Sequence, residues 1–220
     1  MQYRVEENLK QIQEEIVPYK PNIIAVTKYF DTDAMQEAYA AGIRDFGESR
    51  VIEASEKISR LPDEIISNSK FHFIGHLQGN KVKKAVERFD IIHSVDTVKL
   101  AEKISEQARA IGKVQDILLQ INIAQEIQKT GFSKAEIEGC FKEVIALDGV
   151  RVLGMMCMAP LGESEDRIRA LFKEVREVKE AMSDSYGYRM PELSMGMSQD
   201  YKIAAQEGST MLRIGRRLFS

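Results

Sequence analysis

Short apolar segments alternate with helical segments eight times along the chain, and this alternation limits the possible folds most strongly. The apolar segments are rich in β-branched and aromatic residues, which favours strands. The predicted strands are Ile23–Lys28, Asp45–Glu48, Phe71–His76, Ile91–Val95, Ile117–Ile123, Val150–Met156, Glu192–Met197 and Met211–Gly215. Alternating strands and helices favour a parallel sheet with crossover helices. Eight such units in 220 residues predict an α/β fold of the (β/α)8 TIM-barrel type.

An open, doubly wound sheet is the alternative, but no predicted strand is followed by a GxGxxG turn. An additional helix is predicted over Tyr3–Val17, before the first strand, because its apolar residues keep helical spacing until Pro18. We expect this helix to cover the bottom of the barrel or to flank it. Residues 1–220 are predicted to form a single domain.

Composition excludes several classes of function. The net charge is -3 and the sequence pI is about 5.8, which gives no bulk electrostatic reason to bind nucleic acid or a membrane surface. The N-terminus does not have the pattern of a signal peptide, and no apolar run approaches membrane-spanning length. Cys140 and Cys157 stand in no metal or redox spacing, so a reducing cytoplasm is expected. We expect a cytoplasmic monomer.

Lys28 ends the first predicted strand, and alternation places it on the same face as Val26 and Ile24. If that face points into a closed barrel, the amine lies at the C-terminal mouth, where barrels carry their active sites. Burial against apolar walls disfavours a charged amine, and a neutral amine can attack a carbonyl to form a Schiff base. The alternative is a lysine that merely ends a strand and reaches water.

Two glycine-containing loops follow the seventh and eighth strands. The first is Ser194–Ser198, immediately before a helix, and the second is Arg213–Arg217. Barrels often bind phosphate in these loops, because glycine lets exposed backbone N–H groups approach the anion. For Ser198, a turn that caps a helix is an equally good interpretation. A lysine on strand one and phosphate loops after strands seven and eight indicate a ligand with an aldehyde and a phosphate, which pyridoxal 5′-phosphate (PLP) satisfies.

Three other patterns point less clearly to chemistry. His72 and His76 stand four apart, but no carboxylate lies at ligand spacing, so we predict no metal site. His93 on its apolar strand is interpreted as a hydrogen-bonded core histidine, and the methionines near Met156 as core filling. No Ser-His-Asp arrangement or nucleophile elbow is visible.

Longer motifs resemble one family. They are Ala25-Val26-Thr27-Lys28, Phe46-Gly47-Glu48-Ser49-Arg50-Val51, the run from His72 to Lys81, Leu193-Ser194-Met195-Gly196-Met197-Ser198-Gln199-Asp200 and Arg213-Ile214-Gly215. Together they closely resemble the pyridoxal phosphate homeostasis (YggS/PROSC) family of vitamin B6 proteins, over nearly the whole chain. The resemblance implies a barrel like the N-terminal domain of alanine racemase, with PLP held as an internal aldimine.

The resemblance also implies roles for particular residues. Lys28 would be the Schiff-base lysine, and Arg213 would face the pyridine nitrogen. The residues around the phosphate, which act largely through backbone N–H groups, would be Met197, Ser198, Gly215 and Arg216. The residues around the ring would be Ser49, His76, Met156 and Ser194.

This chain departs from the family pattern at two places. Ser49 stands where the family usually has asparagine, so a hydrogen bond to the ring oxygen or the aldimine would be lost. Arg216 and Arg217 stand where the family often has a small residue. A phosphate bound by the backbone N–H of residue 216 tolerates this change, and an arginine side chain there could add charge to the site.

The resemblance implies a protein that buffers, carries or delivers PLP, with apo PLP-dependent enzymes as expected partners, rather than an enzyme. Racemisation needs a second acid-base group on the far face of the aldimine, and the sequence ends at Ser220, soon after Gly215. An arginine at the pyridine nitrogen also keeps that nitrogen unprotonated and weakens the ring as an electron sink. The alternatives are a slow PLP-dependent amino-acid racemase and a PLP-free Schiff-base aldolase.

Overall fold

The computed structural model describes residues 3–124 and 130–220, and its eight strands form one closed parallel barrel. The strands are β1 Asn22–Val26, β2 Asp45–Glu48, β3 Lys70–Phe73, β4 Ile91–Val95, β5 Gln115–Gln120, β6 Val150–Met156, β7 Glu192–Ser194 and β8 Met211–Ile214. Each strand pairs in parallel with the next, and β8 closes the barrel on β1 with Met211 opposite Asn22. The predicted (β/α)8 barrel is confirmed.

One helix precedes β1, as predicted, and the others lie after the strands. The helices are α1 Val5–Glu15, α2 Thr32–Ala40, α3 Val51–Ile58, α4 Asp63–Ser67, α5 Val82–Arg88, α6 Val98–Ala110, α7 Lys134–Ile145, α8 Glu165–Tyr186, α9 Tyr201–Gln206 and α10 Arg216–Phe219. Polar caps begin several of them: the Asp31, Thr97, Ser133 and Ser164 side chains accept a hydrogen bond from a first-turn N–H. The sequence patterns missed α4 and α10, because neither helix is long enough to show a period of 3.6 residues.

Five predicted strands end earlier than expected. β1 ends at Val26, β3 at Phe73, β5 at Gln120, β7 at Ser194 and β8 at Ile214. Lys28, His76 and Met197 therefore lie in the loops at the C-terminal ends of the strands. Because Lys28 is beyond the strand, the alternation that was used to orient it does not reach it, and that part of the prediction was wrong.

The barrel has a different composition on its two faces. The outward faces of the strands pack against the helices with large apolar side chains such as Phe46 and Phe73, both essentially buried. Each such side chain contributes roughly 1.5–3 kcal/mol when removed from water. The interior holds a small apolar cluster of Ile24, Ile91, Leu118, Met156 and Met211 with Leu153 against it. Buried polar side chains share this interior, among them His72, His93, Ser194 and Arg213.

The helix α1 flanks the barrel beside α2 and α10, the helices of the first and last units. The Asn8 side chain donates hydrogen bonds of 3.0 and 2.9 Å to the carbonyl oxygens of Leu218 and Ser220. These bonds hold the end of the chain against α1, next to the seam where β1 meets β8. Among the described residues, no helix combines the length and apolar character needed to cross a bilayer.

Candidate functional site at the C-terminal mouth of the barrel

Arg213 is the central cation of the candidate site and is 4% exposed. Its guanidinium donates to Ser194 Oγ at 2.6 Å and to the carbonyl oxygen of Cys157 at 2.8 Å. Burial lowers the pKa of this guanidinium, and Cys157 and Asp200 act in the opposite direction. The bonds to Ser194 and Cys157 fix a cation at the carboxyl ends of β6, β7 and β8.

A chain of hydrogen bonds continues from Ser194 through the barrel interior. Ser194 Oγ lies 3.0 Å from His93 Nδ1, and His93 Nε2 lies 2.9 Å from His72 Nδ1. His72 Nε2 then lies 2.8 Å from Asp45 Oδ1, at the first residue of β2. The sequence interpretation of His93 as a hydrogen-bonded core histidine agrees with this structure. Its partners were not predicted, because they come from strands far apart in the sequence.

Burial strongly affects the ionisation of two groups in this region. Burial, with the nearby charge of Arg213, lowers the pKa of His93 well below its ordinary value, so the ring is neutral. Burial also raises the pKa of the Cys157 thiol to about 12, which makes this cysteine unreactive. Arg213 is therefore the charged group that the interior presents to the mouth on this side.

Lys28 lies in the turn after β1 and is exposed, not enclosed by apolar walls as the sequence interpretation expected. Its ammonium is 5.1 Å from the centroid of the Tyr29 ring, and Tyr29 is 80% exposed. An amine in this position is accessible to a carbonyl compound that arrives from solvent.

The turn that carries Lys28 is held from below by a buried ion pair. Lys57 Nζ lies 2.5 Å from Glu48 Oε1 and donates to the carbonyl oxygens of Thr27 at 2.7 Å and Phe30 at 3.0 Å. The Thr27 hydroxyl donates to the same Glu48 oxygen at 2.6 Å. These bonds fix both ends of the turn. Sequence reasoning missed Lys57, because nothing in its local pattern on α3 distinguishes it from a surface lysine.

The loop after β2 packs on the loop after β3. A Cβ at Gly75 would lie 2.3 Å from the carbonyl oxygen of Ser49, so only glycine allows this contact. Ser49 is half-buried at this junction, and His76 next to it is exposed with Nδ1 3.6 Å from Asp96 Oδ2. His72 and His76 thus occupy different environments, one inside the barrel and one on the mouth. Within residues 3–124 and 130–220, no three His, Cys, Asp or Glu side chains form a metal-binding group.

The loops after β7 and β8 meet each other. Ser198 Oγ accepts a hydrogen bond of 3.3 Å from the N–H of Arg217. Gly196 has a φ of +92°, and a Cβ there would lie 2.5 Å from the Cβ of Ala204, so the first loop requires glycine. Asp200 accepts from the N–H of Met197 at 2.5 Å. The N–H of Met197, which the resemblance assigns to phosphate, is therefore already paired with a carboxylate.

The remaining sites named from the sequence are placed as follows. Met156 and Ser194 are buried at the ends of β6 and β7, whereas Ser198 and Gly215 are half-buried in the two loops. Arg216 is exposed at the start of α10. The first N–H groups of a helix have no partner within the helix; that of Arg217 donates to Ser198 Oγ, whereas that of Arg216 can donate to a ligand.

Together these residues suit a ligand with three chemical features. An exposed amine can react with a carbonyl, a buried guanidinium can donate to a ring nitrogen, and two contacting loops can donate to an anion. PLP carries all three features, so the residues present fit this cofactor. The fold and this set of residues define a class of protein. Its members are parallel eight-stranded barrels with a lysine after the first strand and a buried arginine on the last.

Comparison with known proteins agrees with this class. The family model described as alanine racemase, N-terminal domain, matches residues 2–220. A pyridoxal phosphate homeostasis protein of Synechocystis sp. is 37% identical over 203 residues, which cover 92% of each chain. One from Aquifex aeolicus is 35% identical over 197 residues, which cover 90% of this chain and 85% of the relative. The chain therefore belongs to the alanine racemase N-terminal domain family, among the pyridoxal phosphate homeostasis proteins.

A solved relative extends the comparison to structure. PipY of Synechococcus elongatus PCC7942 without PLP is 37% identical, with a TM-score of 0.93, and covers 99% of this chain and 100% of its own. PipY with PLP bound gives a TM-score of 0.89 at 36% identity over the same shares of both chains. The barrel of this chain thus has the fold of PipY over its whole described length.

Proposed function

We propose that this protein binds PLP at the C-terminal mouth of its barrel and buffers, carries or delivers it within the cell. The observation that supports this most directly is the likeness to PipY with PLP bound, which extends over 99% of this chain. The two curated relatives from Synechocystis sp. and Aquifex aeolicus are named as homeostasis proteins.

Lys28 is proposed to hold the cofactor as an internal aldimine, and Arg213 to donate to the pyridine nitrogen. The exposed position of Lys28 supports the first role, and the burial of Arg213 with fixed partners supports the second. The proposed phosphate contacts are Met197, Ser198, Gly215 and Arg216, and the proposed ring contacts are Ser49, His76, Met156 and Ser194. For Met197 the paired N–H favours a contact through the side chain.

Two features of the mouth support a carrier over an enzyme. Lys28 and His76 are exposed, so water reaches the reacting end of the cofactor, and water weakens the electrostatic interactions that would stabilise a carbanion. Arg213 beside the ring nitrogen leaves that nitrogen unprotonated and the ring a weak electron sink. An exposed cofactor can also be reached by the amine of an apo-enzyme, which suits delivery. We further propose a cytoplasmic monomer, since the two cysteines stand in no metal or redox spacing and suit a reducing compartment.

The test is an absorbance titration of the purified protein with PLP and with pyridoxal, which lacks the phosphate. We expect PLP to give a yellow band that borohydride bleaches, and pyridoxal to bind much more weakly. Equal affinities for the two compounds would contradict the phosphate site. Absence of any band with PLP would contradict the function.

A slow amino-acid racemase is the rival function. The holo protein is incubated with both enantiomers of a panel of amino acids, and chiral chromatography measures the products. We expect no turnover of physiological use. Turnover of about 1 s⁻¹ or faster, within the usual range of enzymes, would favour the racemase.

A further inference from the structure

The hydrogen-bonded chain inside the barrel connects two opposite ends of the molecule. Asp45 is the first residue of β2, at the N-terminal end of the barrel, and Arg213 lies near the C-terminal end of β8. The connection passes through Ser194, His93 and His72, each at most 1% exposed. This hydrogen-bonded chain extends further than is needed to pair the buried Arg213. The donors and acceptors in it determine in which direction each hydrogen bond runs.

The two ends of the chain determine the outermost protons. The Asp45 carboxylate can only accept, so His72 Nε2, 2.8 Å away, carries a proton. Burial acts to raise the pKa of the Asp45 carboxyl, but hydrogen bonds from His72 and Asn22 and the charge of Lys70 lower it, so it is ionised at neutral pH. The Arg213 guanidinium can only donate, so Ser194 Oγ accepts from it at 2.6 Å.

Ser194 determines the direction of the inner bonds. Its hydroxyl has one proton to donate and is fully buried. Among the hydrogen bonds of the described residues, the acceptor available to that proton is His93 Nδ1 at 3.0 Å. The opposite direction, in which His93 donates to Ser194, would leave a buried hydroxyl proton without an acceptor, which native structures avoid.

The remaining bond follows from these assignments. Because His93 accepts at Nδ1, its single proton is on Nε2 and is donated to His72 Nδ1 at 2.9 Å. Both imidazoles then carry one proton each, on Nε2. Every bond runs the same way, from Arg213 through Ser194, His93 and His72 to Asp45, with a cation at one end and a carboxylate at the other.

We propose that Asp45 is a positioning residue. By keeping the proton of His72 on Nε2 it leaves His72 Nδ1 free to accept from His93, so that Ser194 can donate to His93 while it accepts from Arg213, and this holds the orientation of Arg213 at the cofactor site. Ser194 Oγ and the Cys157 carbonyl oxygen engage two N–H groups of the guanidinium, and the others are the donors left for a ring nitrogen. This inference rests on the proposed function, since the ring nitrogen is that of PLP. The Asp45 carboxylate, at the N-terminal end of the barrel, thereby controls the hydrogen bonds of a site at the C-terminal end.

The first experiment needs no cofactor. Nitrogen-15 NMR of the apo protein, labelled on histidine, distinguishes protonated from unprotonated ring nitrogens. The sequence has three histidines, so substitution of each assigns the signals, and exposed His76 serves as an internal reference. We expect His72 and His93 to be neutral and protonated on Nε2 at neutral pH. A His93 protonated on Nδ1, or a doubly protonated His72, would overturn the proposal.

The second experiment removes the far end of the chain. In Asp45→Asn the amide can turn either its oxygen or its NH2 toward His72, so the far end no longer imposes the direction and only the buried Ser194 hydroxyl still favours it. We expect a new population of His93 protonated on Nδ1, and PLP binding about tenfold weaker, at the lower end of the loss that follows removal of a residue that orients a ligand. An unchanged tautomer and an unchanged PLP affinity in a folded variant would overturn the role of Asp45. If this variant does not fold, the tautomers of the wild-type protein decide the matter.

Asp116→Asn is the matched control. Asp116 lies at the same end of the barrel on β5, and its carboxylate accepts from the Arg151 side chain at 2.6 and 2.8 Å, away from the interior chain. We expect this variant to keep both the tautomers and the PLP affinity of the wild-type protein. Failure of the wild-type protein to bind PLP would overturn the proposed function, and the tautomer measurement on the apo protein would remain a separate result.

Discussion

The two sides of the barrel mouth hold their functional side chains in different ways. Beside β7 and β8, Arg213 is 4% exposed and bonded to fixed partners, and a chain of polar side chains supports it through the barrel. Beside β1, Lys28 is exposed in a turn, and the buried groups below it hold its backbone and not its amine.

The difference matches two demands on the proposed PLP carrier. A group that orients a ring must be fixed before the ligand arrives, because ordering it on binding would cost affinity. A lysine that forms and releases a covalent bond must be reachable by the cofactor and by competing amines. Burial and a complete hydrogen-bond network supply the first property, and exposure supplies the second. The predictions below test each side.

The largest expected effect is at the reactive amine. Lys28→Ala should abolish the yellow band with PLP and covalent labelling after borohydride reduction, because the nucleophile is gone. Peptide mass spectrometry locates the modified lysine. Lys20→Ala, an exposed lysine on the other side of β1, is the control and should retain full labelling. Full labelling in the Lys28 variant would show that another lysine is the anchor.

The ion pair below the Lys28 turn should matter mainly for stability. Lys57→Met preserves the bulk of the side chain but leaves the Glu48 carboxylate, 3% exposed, without its cation. Loss of one partner of a buried pair typically costs about 3–5 kcal/mol, and urea denaturation measures the free energy of unfolding.

The matched control for this change is Lys173→Met, which breaks an exposed pair with Glu177 on α8. Such pairs contribute about 0.5 kcal/mol or less. A loss below about 1 kcal/mol for Lys57→Met, similar to the control, would show that the turn does not depend on the ion pair.

Acid should destabilise the protein, because His93 in the buried hydrogen-bonded chain resists protonation in the folded state. Burial lowers the pKa of His93 in the folded state, so below about pH 6.5 the unfolded state binds a proton that the folded state does not. Stability should therefore fall by about 1.4 kcal/mol per pH unit between about pH 6.5 and 5, and it should be constant with respect to this group at higher pH. Denaturation at several pH values gives the slope.

Two variants test whether His93 causes this dependence of stability on pH. His93→Gln should reduce the slope of stability against pH by about 1.4 kcal/mol per pH unit, which is the contribution of one proton. This holds whatever the effect of the substitution on stability at neutral pH. His76→Gln changes a histidine whose side chain is 59% exposed and should leave the slope unchanged. An equal slope in both variants would show that His93 is not the group responsible.

The smallest expected effect concerns the phosphate loops. Ser198→Ala removes a hydroxyl that now accepts from the N–H of Arg217, and it should weaken PLP binding by roughly 1 kcal/mol, the net contribution of one hydrogen bond. Ser59→Ala, whose hydroxyl donates to a carbonyl oxygen on the exposed surface of α3, should leave binding unchanged. Unaltered PLP affinity in the first variant would assign Ser198 to capping the loop alone.

Much of the fold could be predicted from local patterns. β-branched strands separated by amphipathic helices have a period that is visible in any short window, and eight repeats of that unit in 220 residues leave little choice but a closed barrel. The carboxyl ends of the strands then identified Lys28, Ser198 and Arg213 as candidates. The alternation failed at Lys28 because β1 ends at Val26, and strand ends depend on pairing with neighbouring strands.

The sequence by itself therefore determined the order of elements, the face that carries the site and the family to which the chain belongs. Only the tertiary structure decided that Asp45 and Arg213 belong to one chain of hydrogen bonds, and that Lys57 holds the turn that carries Lys28. The physical reason is that local periodicity depends on neighbours in the sequence, whereas a buried polar group depends on partners. Closure of the barrel supplies those partners by bringing β2, β3, β4, β7 and β8 around one interior.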